Sequence, residues 1–136
     1  TANGPVEVSS TGFGEPSDLL FEPDGTLLLS DQLTGLHRLT LDGQQRQTSV
    51  EPILAPAGGE RIFALARDRE GHHLLGFNGL HGVQRYDPAW TAATTVSAEH
   101  PILDLGFARG ALGCDRVYAT HADGLLVLPA TGPGAP

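Results

Sequence analysis

The side chains best suited to proton transfer or metal ligation near neutral pH are six histidines: His37, His72, His73, His81, His100 and His121. They are scattered along the chain, so any shared chemistry depends on a fold that gathers them. His72 and His73 are adjacent, and neighbouring side chains on a strand point to opposite faces, so the pair is not placed to chelate one ion. Both are expected to be solvated turn residues. His81 and His121 each stand close to a glycine that opens a strand, which would put them on the same rim of neighbouring units. Asp18, Asp31, Asp104 and Asn78 each sit at the start or end of an apolar run, where a side chain is held rigidly yet reaches solvent. Ser30-Asp31 recurs as Phe77-Asn78 and as Thr120-His121, so each unit ends its second strand with a different chemistry. Asp31 is also suited to bonding the turn that follows it.

Other routes to chemistry are closed off. No Gly-x-Ser-x-Gly occurs to hold a serine nucleophile on a sharp turn. Gly12-Phe13-Gly14 and Gly132-Pro133-Gly134 do not lie between a strand and a helix, as a phosphate-cradling loop must. Cys114 is the single cysteine, which excludes an internal disulfide and a multi-cysteine metal site and leaves it as a small apolar side chain. What remains is a polar rim of Asp18, Asp31, Asn78, His81, Asp104 and His121 for binding, with no residue assigned to catalysis.

Three sets of short strands must position that rim. In Pro16 to Gly43, Leu19 to Phe21 is an apolar run, Glu22-Pro23-Asp24-Gly25 a turn, Thr26 to Ser30 a second run, and Gly35 to Leu41 a third strand. Thr48 to Leu54 follows as a polar outer strand. Arg61 to Pro88 repeats the pattern, with Gly71 matching Gly25 and Gly82-Val83-Gln84-Arg85 matching Gly35-Leu36-His37-Arg38. Ile102 to Leu128 repeats it again with a longer hairpin from Ala108 to Arg116. The copies lie roughly 45 residues apart, within the range of four-stranded propeller blades. Ala89 to Ala98 is rich in Thr and Val, which favours an outer strand over a helix. Tyr86 and Trp90 flank Pro88 and suit packing between units.

The expected fold is therefore all-β: a partial β-propeller of about three four-stranded antiparallel blades, half of a six-bladed ring. Residues 1–15 form a lead-in with a stray strand at Val6 and Val8. Residues 16–55, 60–98 and 101–130 are the three blades, and 131–136 a Pro- and Gly-rich tail. The 136 residues suffice for one domain, and a composition of 40% hydrophobic and 18% charged residues with 18 Gly and 10 Pro fits a turn-rich globular chain. A net charge of -8 repels phosphate backbones and anionic lipid, which argues against nucleic acid as a partner. No run is long and apolar enough for a membrane span. The first residue is Thr1, so a removed leader, which would favour a secreted or periplasmic address, and a fragment boundary are both open readings.

The first unit, PSDLLFEPDGTLLLSDQLTGLHRLTLDG, resembles the blade consensus of the six-bladed propellers of the NHL-repeat, SMP-30/gluconolactonase and strictosidine synthase-like group. The likeness lies in the Pro opening the inner strand, the apolar triplet, the Asp-Gly hairpin, the apolar run ending at Asp31, and Gly-apolar-His-Arg. It implies a propeller that hosts lactonases, synthases, receptors and scaffolds alike. In lactonase-type members it further implies calcium held in the channel by acidic and amide side chains at the starts of inner strands. The matching positions here are Ser17 and Phe63, which depart from that pattern, with Asp18, Asp104 and Asn78 nearby. The resulting expectation is a non-catalytic segment for ligand or protein binding and assembly, with no cofactor. Its ring would be completed by a homodimer, a second polypeptide or a missing segment. The alternative is a calcium-dependent lactonase of the SMP-30 type.

Overall fold

A computed structural model of the protein describes residues 13–55, 59–109 and 115–129. The first unit contributes β1 (Pro16–Phe21), β2 (Leu27–Asp31), β3 (Gly35–Leu41) and β4 (Gln47–Leu54). The second contributes β5 (Arg61–Arg67), β6 (His73–Asn78), β7 (Val83–Tyr86) and β8 (Ala93–Ser97), and the third β9 (Asp104–Ala108), β10 (Arg116–His121) and β11 (Gly124–Pro129). Each set forms its own antiparallel sheet in chain order. The third sheet has three strands among the described residues, where four were expected. The Val6–Val8 strand, the middle of the Ala108–Arg116 hairpin and the tail lie outside the described residues.

Turn chemistry fixes the registers. At the β1–β2 hairpin the Glu22 amide donates to the Thr26 carbonyl at 2.8 Å and the Gly25 amide to the Glu22 carbonyl at 3.0 Å. Gly25 takes φ 88°, a left-handed conformation that costs glycine nothing. Aspartates open the turns, accepting from the amide two residues on and often from one four on: Asp42 from Gln44 and Arg46, and Asp68 from Glu70 and His72. Where β3 and β7 begin, Gly35 and Gly82 have φ 99° and 58°, and a Cβ on either would overlap the carbonyl oxygen of Leu54 or Ser97 on the outer strand. No other residue type meets both demands.

The three sheets stack face to face, with β1, β5 and β9 side by side along what would be the axis. Two apolar layers hold them. Between the first and second sheets lie Leu28, Leu36, Ile62, Leu65, Leu75 and Phe77. Between the second and third lie Ala64, Ala66, Leu74, Val83, Ile102, Val117 and Ala119. The middle sheet is thus covered on both faces, which is why His73 to Phe77 is buried without alternation. Each fully buried leucine here contributes roughly 1.5–3 kcal/mol of transfer free energy.

That middle position overturns one expectation. His73 is 3% exposed, not a solvated turn residue. It stacks on Trp90 with ring centroids 4.1 Å apart and planes 16° from parallel, and its Nε2 meets Glu22 Oε1 at 2.6 Å. Position within a stack of sheets, which a single strand does not reveal, put it inside. His72 points the other way, toward Asp68 and Arg85.

Candidate rim site between the second and third sheets

The end where β5 and β9 begin and β6 and β10 finish gathers most of the polar residues singled out above, because Arg61 pairs with Asn78 and Thr120 with Asp104. The link from β8 to β9 is tied down there by two main-chain bonds, Ile102 N–H to the Phe77 carbonyl and Leu103 N–H to the Thr120 carbonyl, each 2.8 Å. A cleft of about 260 Å³ opens beside that link, lined by Asn78, His100, Pro101, Leu103, His121, Ala122 and Asp123. Two sheets contribute to one concavity.

Its centre is an imidazole pair. His100 and His121 stack with centroids 4.0 Å apart and planes 9° from parallel. The Asp123 amide donates to His121 Nδ1 at 3.3 Å, so the neutral ring carries its hydrogen on Nε2 and keeps a donor for a guest. Asn78 adds an amide able both to donate and accept, while Leu103 and Pro101 supply apolar wall. Parallel rings do not converge their in-plane lone pairs on one ion, so the pair is a stacking and hydrogen-bonding surface. His100 and Asp123 were not singled out for this site from sequence, because nothing local marks them as neighbours of Asn78.

The other four predicted residues do not line the cleft. Asp18 accepts from its own neighbour, Leu19 N–H, through Oδ1 and from Leu65 N–H on the next sheet through Oδ2, both at 2.8 Å. Asp31 is fully buried and accepts from Glu15 N–H at 2.5 Å, Thr34 N–H at 2.9 Å and the Thr34 hydroxyl at 2.7 Å. Burial pushes its carboxyl pKa up, but these bonds outweigh burial and hold it below the ordinary 3.8. Both carboxylates are occupied in holding the fold. His81 is on the rim, but its Nδ1 is bound to Glu60, whose carboxylate also accepts the Leu80 and His81 amides. Asp104 accepts Leu105 N–H at 2.9 Å and lies on the far face of the third sheet, away from the cleft.

A second cleft, about 410 Å³, opens at the opposite end between the hairpins of the first two sheets. Although larger, it is held by internal pairs. Arg67 donates to the Phe21 carbonyl at 2.8 Å and to Glu22 at 3.1 Å, and Glu22 also binds His73. Burial drives the His73 pKa below its ordinary 6.5, against the pull of Glu22, with the Arg67 and Arg38 charges adding to the effect. That end is a clamp between sheets.

The residues present do not fit a calcium cage at the inner strands. The Ser17 hydroxyl is engaged with Ser30 and the Ile62 carbonyl at 2.8 Å each, both oxygens of Asp18 are used, and Phe63 offers no ligand. Among the described residues no cluster of three or more His, Cys, Asp or Glu side chains is placed to hold a metal ion.

Known structures match this stacking of sheets. A protein provisionally described as a gluconolactonase superposes with a TM-score of 0.71 at 20% identity, over 86% of this chain and 39% of that one. This chain has the fold of a partial β-propeller. The holo PQQ domain of a pyranose dehydrogenase from Coprinopsis cinerea superposes with a TM-score of 0.58 at 18% identity, over 80% of this chain and 28% of that one. The chain thus spans well under half the length of either propeller. No protein-family profile and no curated protein matches the sequence. The likeness therefore speaks to the three sheets as blades, and among the described residues no helix is long and apolar enough to cross a membrane.

Proposed function

We propose that this is a non-catalytic propeller segment that binds a small polar molecule at the rim cleft between its second and third blades, within an assembly that supplies further blades. The observation that carries this reading is the convergence of Asn78 from one blade and His121 from the next on the stacked His100 ring. The site offers donors and acceptors with an apolar wall. It has no paired carboxylates or nucleophile-base pair, so its chemistry is recognition. Titrating the isotopically labelled chain with imidazole-binding and amide-binding fragments and following amide shifts tests it. Shifts confined to residues 78, 100, 121 and 123, lost in His121→Ala, are expected. Shifts elsewhere, or none, count against the cleft.

The second reading, a calcium-dependent lactonase, is favoured by the superposition on the protein provisionally described as a gluconolactonase. It is opposed by the lack of a calcium cage at Ser17, Asp18 and Phe63. Assay with gluconolactone separates the two. Turnover that needs calcium and stops with a chelator would establish the lactonase reading.

A further inference from the structure

The third blade exposes a face that the first blade keeps covered. Register places Asp18, Ser30 and Leu36 in one cross-strand row of the first blade, with Leu20 and Leu28 in the row beside it. That face packs on the second blade, and Asp18 Oδ2 accepts the Leu65 amide of the inner strand there. The corresponding rows in the third blade are Asp104, Thr120 and Leu125, then Gly106, Tyr118 and Val127. Here Tyr118 is 39% exposed, Val127 52% and Leu125 58%. Asp104 repeats the first half of the Asp18 arrangement, accepting its own neighbour's amide through Oδ1. Its Oδ2 has no partner among the described residues.

The inner-strand amides follow a rule. Leu19 N–H and Leu65 N–H share one carboxylate, Asp18. The second blade has Ala64 where the first has Asp18, and so offers nothing to the third. Leu105 N–H is served instead by Asp104 of its own strand. One carboxylate serves two successive blades, and Asp104 has served one.

We propose that the outward face of the third blade seats a fourth blade of the second blade's type, with an uncharged residue at the Ala64 position, whose free inner-strand amide donates to Asp104 Oδ2. This rests on the assembly reading above and names the partner that it requires. A second copy of this chain is the wrong partner. Its first blade would bring Leu19 N–H already bonded to Asp18, setting two carboxylates around one amide between chains that each carry a charge of -8. Stacking by the established blade-to-blade contact covers Tyr118, Leu125 and Val127 as Leu28 and Leu36 are covered now.

The test adds a copy of residues 59–100 after residue 136 of the full chain and follows amide exchange. The resident second blade in the same molecule is the folding control. Protection of the amides of Tyr118, Leu125 and Val127 is expected. The copied Leu65 amide should exchange about fivefold to tenfold faster when Asp104→Ala is introduced, the factor that one net hydrogen bond supplies. Ala64→Asp in the copy should likewise weaken the seating. If the face is protected but neither substitution matters, the Asp104 rule is overturned while the assembly reading survives. If the copy stays unfolded and the face exchanges as in the parent chain, both fall. The parent chain is expected to sediment as a 14.2 kDa monomer, and a closed dimer would overturn the choice of partner.

Discussion

Asp18 shows how one side chain can carry two blades. Its carboxylate accepts from Leu19 N–H on its own strand and from Leu65 N–H on the inner strand of the next blade. Asp18→Ala should cost about 1–3 kcal/mol of unfolding free energy, since a buried donor is left unmet, and Asp18→Asn less. Denaturant titration measures the loss, and faster exchange at Leu65 locates it. His73 makes a second prediction. Its folded pKa lies below 6.5 because burial disfavours the imidazolium, so as pH falls the unfolded chain takes up protons first. Stability should be flat above about pH 6.5 and decline below it, by at most about 1.4 kcal/mol per pH unit for one such group. His37 shifts the same way through burial, against the pull of Asp31, so His73→Gln should reduce the slope without abolishing it. Midpoints in urea at pH 7.5 and 5.5 check both. The aspartates held low, Asp31 among them, contribute stability that is lost only as pH falls below 3.8.

At the scale of the element, the entries into β3 and β7 are the points of least tolerance. Gly35→Ala and Gly82→Ala each combine a left-handed φ with a collision against an outer-strand carbonyl. Each should cost on the order of 1–3 kcal/mol or more and loosen the outer strand of its blade first. Gly43→Ala, with open space around it and no positive φ, should leave the melting temperature within about a degree or two. Parallel thermal melts of the three variants give the comparison. The hairpins were legible in the sequence because Asp and Gly at fixed offsets state their turn type locally. The outer strands were legible as strands because Thr and Val dominate them, although their polarity says nothing about which blade edge they close.

For the molecule as a whole, two faces decide behaviour in solution. Leu19 and Phe21 stand 55% and 54% exposed on the first blade, and Leu125 and Val127 stand open on the third. Exposed apolar faces of this kind bind hydrophobic dyes and invite association. Leu125→Glu with Val127→Glu should lower dye binding while leaving the melting temperature nearly unchanged, because neither side chain carries a layer of the present core. Fluorescence titration and calorimetry on the same samples test this.

The chain's own order of residues determined the strands, their turns and the repetition of one small sheet, since each depends on neighbours a few positions apart. It also marked Asn78 and His121 as strand-end polar residues. Only the stacking of sheets decided which of those residues meet. Burial of His73, engagement of Asp18 across a blade boundary, closure of Asp31 inside its turn and the meeting of His100 with His121 all arise from which face of one sheet lies on the next. A face is assigned by long-range packing, and no local spacing encodes it.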